Sequence, residues 1–565
     1  MLKLPRRFIR TALGAGFVLT LGAGTGTVLA QQLPSSLDPN RIEQRFEKPA
    51  LPQSRPPVTL PAPEQAPPPE QAGAIKFILS KLDIDGATVF SREEIAPLYQ
   101  SQLGKEISLL DLYKIRDAIT VKYRNAGYIL SLAAIPAQEI SDGKVHISVV
   151  EGYFNKVTFQ GQATDRFGVL QDYAQKLKDS RPLRASVLER YTMLMDDLPG
   201  LKVRTVIQPA EGGAIGSDLL IILERNLISA GLSLDNRGTQ SVGPHQIGGD
   251  ASFNDVLGLF DQTTVSGTIT PHIDELRYLD ISHNEPIGLD GSTLSGGIRQ
   301  NWSIPGDTVR RLLIKSQGIT LWSGLSYPLI RSRSETLRLN LNLTYKNSRT
   351  TMQGDQLSDD RIRFITGNIN YDISDPWQGS NLFQLGLNRG LDIMNATNPG
   401  LGSQSRALAR PNFTKVTFSA QRVQPLPENL SILVATEGQF SPDVLTSGEE
   451  FGIGGKLYGR AFDSSELTGS KGASVKLELQ HSPQLEIPKI QYVQFFIFAD
   501  YGKVWKYQSG DTDSRQELAS FGAGVRFGMT EALSGTVEFG QPFLRNTTAN
   551  NNRDPRVFFS LSARY

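Results

Sequence analysis

The sequence contains no cysteine among its 565 residues. A cytosolic enzyme of this length usually carries a few thiols, whereas a chain that crosses an oxidising compartment benefits from having none, because stray thiols mispair there. The formal net charge is only +1, so no basic excess indicates nucleic-acid binding. These absences favour passage through the periplasm and give no support to a nucleic-acid partner.

Long apolar runs are also missing. Mean hydropathy is −0.24. Beyond the N-terminus no stretch reaches the roughly 20 apolar residues that a membrane-spanning helix needs. Such values suit a soluble protein, and they equally suit a membrane β-barrel, whose interior face is polar. They argue against a helical membrane protein.

Enzyme signatures are absent as well. The histidines form neither an HExxH pair nor another metal-ligand spacing, and there is no GxSxG elbow, Walker A loop or dinucleotide fingerprint. The sequence therefore predicts a protein that is not an enzyme, with no catalytic residue, no nucleotide, no cofactor and no metal. An enzyme embedded in a barrel is a remote alternative. The five histidines are His146, His245, His272, His283 and His481.

The N-terminal segment has the composition of a targeting signal and a linker. Residues 1–30 combine a basic start, a short apolar core and a Val-Leu-Ala site before Gln31, which predicts a cleaved signal peptide; an uncleaved anchor is the alternative. Residues 31–72 form a proline-rich linker, extended and semi-rigid. Within it, residues 39–47 could form a short helix, which is either a mobile plug or a disordered lead.

Two small α+β modules follow the linker, at residues 73–152 and 153–225. Ser91 opens a capping box, Ser108 caps a helix with apolar residues at helical spacing, and Gly127 ends it. The order β-α-α-β-β predicted for the first module repeats more weakly in the second. One ordinary α+β domain is the alternative.

Residues 226–565 read as short alternating strands that end on Tyr565. In the last ten residues, Phe559 and Leu561 fall on one face and Ser560 and Ser562 on the other, which suits lipid outside and water inside. Proline recurs at five positions, each expected in a short turn between strands. The pattern predicts a closed transmembrane barrel of sixteen antiparallel strands, against a soluble all-β array. The prolines are Pro286, Pro328, Pro376, Pro425 and Pro483.

One arginine and one aspartate suggest a lumenal contact. Arg460 lies in the longest surface loop, roughly 441–470, in a glycine-rich stretch. Asp500 lies on the thirteenth predicted strand. If Asp500 faces the lumen, a bidentate pair could hold the loop folded inside the barrel. A solvated arginine at a loop tip is the alternative.

These segments resemble a known family. Gly127, Tyr128, Glu151 and Gly152 are similar to signatures of the first polypeptide-transport-associated (POTRA) domain of two-partner secretion (TpsB-type) transporters, the hemolysin secretion/activation ShlB/FhaC/HecB family. The second POTRA signature is similar to Asp197-Leu198-Pro199-Gly200.

The loop and strand motifs extend the resemblance to the barrel. Arg460-Ala461-Phe462 resembles the family's V-R-G-Y/F loop tip, with Gly459 in place of valine and Ala461 in place of glycine. Phe498-x-Asp500-x-Gly502 matches the family's F-x-D-x-G strand motif. In the family, this arginine meets this aspartate inside the barrel.

The resemblance implies a function and partners. The protein is expected in a bacterial outer membrane with its POTRA domains in the periplasm. There it would receive an unfolded TpsA-type exoprotein and pass it through the barrel to the cell surface, without nucleotide. The other expected partners are outer-membrane lipid and the barrel-assembly machinery for its own insertion. The alternatives are a barrel-assembly factor (insertase) of the same superfamily and a passive porin.

Overall fold

The computed structural model of the protein describes residues 38–47, 51–55, 69–161, 165–210, 216–288, 290–399, 404–507, 514–530 and 532–565. The predicted signal peptide and most of the predicted linker lie outside the described residues. Among the residues that are described, no helix combines the length and the apolar character needed to span a bilayer.

The described part of the chain begins with a short helix, and a small α+β unit comes after it in sequence. In that unit β2 pairs parallel to β5, β4 pairs antiparallel to β5, and β1 pairs with β3. Helix α3 packs Ile119 and Tyr123 into the core. The elements are α1 (Pro39–Arg45), β1 (Lys76–Ile78), β2 (Lys81–Asp85), α2 (Arg92–Ile95), β3 (Glu106–Ser108), α3 (Leu109–Asn125), β4 (Leu132–Ala134) and β5 (Lys144–Val150).

The capping box expected at Ser91 and the helix cap expected at Ser108 are both present, and Ser108 forms a capping box with Asp111. The helix after Ser91 is short. It has four residues and gives way to 3₁₀ turns at Ala96–Leu98 and Gln100–Gln102. Pro97 lies at this change, and its missing N–H prevents the α-helical ladder from continuing.

The second α+β unit has the connectivity of the first. Its sheet has the order β6-β8-β7, with β6 parallel to β8, and its apolar core is separate from that of the first unit. Two separate cores argue against a single α+β domain. The elements are β6 (Phe154–Gln160), α4 (Val169–Asp179), α5 (Ala185–Asp196), β7 (Leu201–Pro209) and β8 (Ser217–Arg225).

The rest of the chain forms a closed sheet of sixteen antiparallel strands, which confirms the predicted barrel. The last strand, β26, pairs with the first, β9, and places Leu561 opposite Leu234. The strands are β9 (Ile228–Asp235), β10 (Gln246–Asn254), β11 (Gln262–Ile269), β12 (Arg277–Ile287), β13 (Ser292–Ser303), β14 (Ile314–Arg331), β15 (Glu335–Met352), β16 (Asp355–Ser374), β17 (Ser380–Gly390), β18 (Thr414–Pro425), β19 (Leu430–Phe440), β22 (Lys471–His481), β23 (Tyr492–Lys506), β24 (Ser514–Gly528), β25 (Leu533–Phe543) and β26 (Arg556–Arg564), with β20 (Phe451–Ile453) and β21 (Leu467–Gly469) as a separate pair between β19 and β22.

Three further 3₁₀ turns lie in barrel loops, at Gln240–Val242, Asp307–Leu312 and Ser447–Glu449. The five prolines follow the predicted rhythm only in part. Pro376 and Pro483 lie in turns, but Pro286, Pro328 and Pro425 lie within strands, close to the end that precedes a short turn. At Pro328 the register shifts by a β-bulge, which removes the need for a proline N–H in the ladder.

The outside of the barrel is apolar where a membrane would surround it. Along β15, Leu339, Leu341 and Leu343 are 40%, 51% and 48% exposed, and the residues between them point inward. Exposed leucines at every second position would be unfavourable in water and are stabilised by lipid. The barrel therefore has a lipid-facing exterior and a polar interior.

Candidate functional site

The loop at residues 441–470, between β19 and β22, folds back into the barrel. Its two short strands β20 and β21 pair with each other and carry the chain to a tight tip. At the tip the Phe462 N–H donates to the Gly459 carbonyl at 2.9 Å, and the Gly455 N–H donates to the Phe462 carbonyl at 3.1 Å. Phe462 is 1% exposed and packs against Leu518 and its neighbours.

Arg460 lies at this tip and is almost fully buried. Its Nε and Nη2 donate to the two carboxylate oxygens of Asp500 at 3.1 and 3.0 Å, and its backbone N–H donates to Asp500 at 3.0 Å. The Phe498 ring lies under the guanidinium, with 3.6 Å from Cζ to the ring centroid. The structure thus brings the predicted loop and strand residues together in the bidentate geometry that favours an arginine over a lysine.

Sequence reasoning missed the charges that complete this cluster. Arg460 Nη1 donates to Glu478 at 2.6 Å and lies 3.8 Å from Glu538. Arg237 donates to the Arg460 carbonyl at 2.9 Å and also to Glu538, while Arg526 donates to Glu478 at 2.7 Å. Three guanidiniums and three carboxylates therefore balance in a buried network. Removing one partner from such a network leaves an uncompensated charge and costs about 3–5 kcal/mol.

Glycines on the wall make room for the loop. A Cβ on Gly502 would lie 2.7 Å from Ile453 of β20, and a Cβ on Gly540 would lie 3.2 Å from the Cβ of Ala461. The last position of the F-x-D-x-G motif is thus a point where the loop approaches the wall closely. The positive φ of the tip belongs to Gly459, at 68°, and Ala461 lies outside the left-handed region. The substitution of alanine for the family's glycine is therefore free of backbone strain.

Helix α1 also lies inside the barrel. Asp38 caps it by accepting from the Asn40 N–H at 2.8 Å. Glu43 accepts from Arg299 at 3.1 Å and from Thr320 at 2.7 Å, and Asn40 donates to Ser348 at 2.9 Å. Ile42 is fully buried among apolar residues of the barrel. Residues 39–45 of the segment 39–47 are thus helical and contact the inner wall of the barrel.

Helix α1 and the loop contact each other as well as the wall. Arg41 donates from Nε and Nη2 to the Ser447 carbonyl at 3.0 and 2.7 Å, and Gln44 donates to the Gly448 carbonyl at 2.9 Å. A Cβ on Gly448 would lie 2.4 Å from the Asn40 Cβ, so the two backbones touch. The two segments therefore occupy the lumen as one connected body.

The chain after α1 leaves the lumen at the rim that carries the short turns. The N–H groups of Gln53 and Ser54 donate to Asp372 at 2.6 and 3.1 Å, and the Arg55 N–H donates to the Arg333 carbonyl at 2.9 Å. Arg333 lies in the turn between β14 and β15. The α+β units lie beyond this rim.

The signatures of the first unit lie where it meets the second. Gly127 (φ 90°) accepts at its carbonyl from the Ala185 N–H at 2.8 Å, and Gly152 accepts from the Leu183 N–H at 2.8 Å. Tyr128 is buried with Arg184 above its ring, at 5.7 Å from Cζ to the centroid.

Glu151 supports the loop before α2. It accepts from the N–H groups of Thr88 and Val89 at 2.7 and 2.9 Å, from the Thr88 hydroxyl, and from the Tyr123 hydroxyl at 2.7 Å. Partial burial opposes ionisation of this carboxyl, but these hydrogen bonds outweigh it and hold the pKa of Glu151 below its usual value.

The second signature lies where its unit meets the barrel. Asp197 accepts from Arg331 at 2.7 and 2.6 Å and from Arg338 at 3.0 Å. Gly200 (φ 76°) accepts from the Asn226 N–H at 2.8 Å. Between them Leu198 is buried in the core of the second unit, and Pro199 is half-buried. All of the predicted signature residues thus lie in or beside junctions between parts of the molecule.

The described residues give no support for a metal site. In the part of the chain that the structure describes, no three histidine, aspartate or glutamate side chains are arranged to hold a metal ion.

A sixteen-stranded barrel with apolar walls, two small α+β units and a plugged lumen defines a class, the outer-membrane barrels that carry POTRA domains. The model of one family, haemolysin secretion/activation protein ShlB/FhaC/HecB, matches residues 216–527, and the model of the ShlB-type POTRA domain matches residues 77–152. The chain belongs to this ShlB/FhaC/HecB family.

Relatives along most of the chain agree with this assignment. The chain is 24% identical to the heme/hemopexin transporter protein HuxB of Haemophilus influenzae (strain 86-028NP), over 86% of each sequence. It is 25% identical to the outer membrane transporter CdiB of Escherichia coli O6:K15:H31, over 93% of this chain and 87% of the relative. The solved structure of CdiB from Escherichia coli superposes with a TM-score of 0.70 at 21% identity, covering 97% of this chain and all of that one.

The family is one of protein transporters. The protein is therefore an outer-membrane transporter of two-partner secretion, with its POTRA domains in the periplasm and an exoprotein as its partner. The insertase and porin alternatives are not favoured by this membership.

Proposed function

We propose that the protein moves one unfolded TpsA-type exoprotein through the barrel lumen, and that α1 and the loop at 441–470 close the lumen until the exoprotein arrives. The observation that carries this is the filling of the lumen. Helix α1 and the loop contact each other and the barrel wall, and a cavity of about 500 Å³ lies beside Arg460 and Glu478. Both segments must therefore leave or shift during transport.

The chemistry of the contacts suits segments that move. Helix α1 is held mainly by hydrogen bonds and ion pairs, such as Glu43 with Arg299 and Asn40 with Ser348. Water can replace such contacts when the lumen opens, so each contributes only about 0.5–3 kcal/mol to docking. Arg460 and Asp500 hold the loop against the wall. Their role is to position the loop, and the drive for transport is folding of the exoprotein outside the cell.

Exoprotein capture is assigned to the two α+β units, with boundaries at 73–152 and 153–225. Strand β7 lies at the edge of its sheet, and its Val206 and Ile207 are 40% and 41% exposed. An edge strand with exposed backbone groups and apolar side chains can pair with an extended chain. An unfolded exoprotein would add a strand there before it enters the lumen.

Two further partners follow from the barrel. The apolar exterior of residues 226–565 supports outer-membrane lipid as a partner around the wall. Tyr565, which follows the last strand, is 91% exposed, and this strand is proposed as the segment that the barrel-assembly machinery recognises during insertion. The signal peptide at residues 1–30 would deliver the chain to the periplasm first.

The test is secretion of the exoprotein encoded beside this gene, with and without the transporter in the outer membrane. We expect exoprotein to accumulate in the periplasm without the transporter and to appear in the medium with it. Unchanged export, with other barrels failing to insert, would contradict the proposal and favour an assembly factor.

A further inference from the structure

Strands β13 to β16 extend beyond the lipid-facing band, and their outer surface changes character there. A strand crosses the apolar core in about ten residues. Counted from Glu335 at the short-turn end of β15, ten residues end at Thr344, directly before Tyr345. Along the outer face of β15 the exposed leucines end at Leu343 and are followed by Tyr345, Asn347 and Arg349. An aromatic residue at the interface with polar residues above it is the usual order on such barrels.

Neighbouring strands add three charges to the same outer surface. In the ladder of β15 and β16, Tyr345 lies opposite Arg363, Asn347 opposite Arg361, and Arg349 opposite Asp359. Residues directly opposite in an antiparallel ladder present their side chains on the same face. Three arginines and one aspartate therefore meet just above the apolar band.

The hydrogen bonds of this cluster leave one arginine without a carboxylate. Asp359 accepts from Arg349 at 3.1 Å and from Arg361 at 3.1 and 3.0 Å. All the hydrogen bonds of Arg363 in the described residues go instead to backbone carbonyls and to the Asn347 side-chain oxygen, at 2.9 to 3.1 Å.

Arg363 is nevertheless 2% exposed, with its guanidinium 3.4 Å from the Tyr345 ring centroid. Its Nε is buried and has no partner among the described residues. A buried charge without a counter-ion is costly, and an incoming anion would offset that cost.

A cavity lies beside these side chains. It has a volume of about 400 Å³ and is lined by the three arginines and Asp359, which leave a net positive charge, and on its other sides by Trp302, Gln317 and Met394. Below it the lipid-facing leucines continue toward the membrane centre. The cavity thus offers positive charge at the height of lipid headgroups and apolar wall at the height of lipid tails.

We propose that this cavity binds the phosphorylated headgroup of a glycolipid of the outer leaflet, with Arg363, Arg361 and Arg349 contacting the phosphate and the acyl chains lying on the leucines below. Arginine is suited to phosphate because its planar fork donates two parallel hydrogen bonds. The bound lipid would fasten the long strands β14 to β16 to the membrane surface, on the face opposite to the contacts of α1 with Ser348.

The test uses the full-length protein in phosphatidylcholine nanodiscs that contain a small fraction of diphosphoryl lipid A, with retained lipid counted by native mass spectrometry. We expect wild-type protein to retain lipid A, and Arg363→Gln and the double variant Arg349→Gln/Arg361→Gln to retain it about tenfold less. The matched control is Arg515→Gln, which changes an exposed arginine on β24, six strands from β16 around the barrel. It should retain lipid A as wild type does.

Two further measurements distinguish binding of the lipid from binding of a free anion. Dephosphorylated lipid A should be retained no better by wild type than by the variants, and millimolar inorganic phosphate should not displace diphosphoryl lipid A. Equal retention of diphosphoryl lipid A by wild type and both arginine variants would overturn the proposal. Better retention of dephosphorylated lipid A by wild type than by the variants, or displacement of diphosphoryl lipid A by inorganic phosphate, would also overturn it. Heat-modifiable migration of each variant on gels checks that the barrel is folded. If Arg363→Gln fails to fold, the double variant carries the comparison, because it keeps the buried guanidinium.

Discussion

At the scale of single residues, the side chain of Arg460 decides whether the loop at 441–470 stays docked. Arg460→Ala would leave Asp500, Glu478 and Glu538 buried without their shared cation, which costs docking about 3–5 kcal/mol. We therefore predict that this variant secretes much less exoprotein, while its barrel still assembles and migrates as a heat-modifiable band. Arg460→Lys should secrete an amount of exoprotein between that of wild type and that of Arg460→Ala, since an ammonium keeps the charge without the bidentate fork.

The control for this prediction is Lys456→Gln, which removes an exposed cation from the same loop. It should secrete normally. Normal export by Arg460→Ala, measured as exoprotein in the medium at equal amounts of transporter in the membrane, would refute the positioning role.

Glu151 allows a prediction about pH in the first α+β unit. Its pKa is lowered in the folded protein by the Thr88, Val89 and Tyr123 hydrogen bonds, against the opposing effect of burial. The carboxylate therefore stabilises the unit above the unfolded pKa of about 4.3, and this stabilisation is lost as pH falls through the folded pKa.

We predict that Glu151→Gln lowers the stability of this unit by about 1–2 kcal/mol at neutral pH, and that the difference from wild type shrinks below about pH 4. Hydrogen-exchange protection of β5 in the full-length protein would measure it. Glu139→Gln, which changes an exposed carboxylate of the same unit, serves as the control. A difference between Glu151→Gln and wild type that does not change with pH would contradict the assignment.

The sequence pointed to Arg460 and Asp500 through two short motifs, but not to the rest of their cluster. Arg237 and Glu538 are 301 residues apart and meet only because β26 closes onto β9. No local pattern encodes that meeting. Alternation along β22 does mark Glu478 as inward-facing. The alternation does not show which loop atom contacts Glu478, because that contact depends on how the loop folds.

At the scale of elements, helix α1 combines a predictable local structure with an unpredictable location. Asp38 and Pro39 form a good helix start, and seven residues are helical. A helix of this length is unstable alone in water. Its stability comes from the lumen wall, through contacts such as Asn40 with Ser348, and no sequence pattern reveals that partner.

The absence of native cysteine allows a direct test of this element. We predict that Asn40→Cys/Ser348→Cys, joined by a short reducible thiol crosslinker, stops secretion because α1 can no longer leave the lumen. The two side chains contact at 2.9 Å in the resting protein. Secretion, measured as exoprotein in the medium, should return on reduction, and each single-cysteine variant should secrete normally under the same treatment. Unimpaired secretion by the crosslinked protein would contradict the proposed displacement of α1.

At the scale of the whole molecule, the barrel was the most predictable part. Apolar and polar residues alternate because each strand separates lipid from a polar interior, and this signal repeats along all sixteen strands. The prolines predicted turn positions less accurately, since three lie inside strand ends. A bulge tolerates Pro328, and Pro286 and Pro425 lie past the end of the ladder with one neighbouring strand. The junctions between the α+β units and the barrel could be recognised only as family signatures, because their contacts join distant segments such as Asp197 and Arg331.

The central claim is that the exoprotein passes through the lumen of this barrel. Gln421 lines the same interior cavity as Arg460, whereas Phe418, three residues earlier on β18, is 44% exposed on the lipid-facing wall. The most direct measurement places a photocrosslinking amino acid at one or the other position and irradiates cells during secretion. The account predicts exoprotein adducts at position 421 and none at position 418. Secretion that continues with no adduct at 421, or with adducts only at 418, would contradict it.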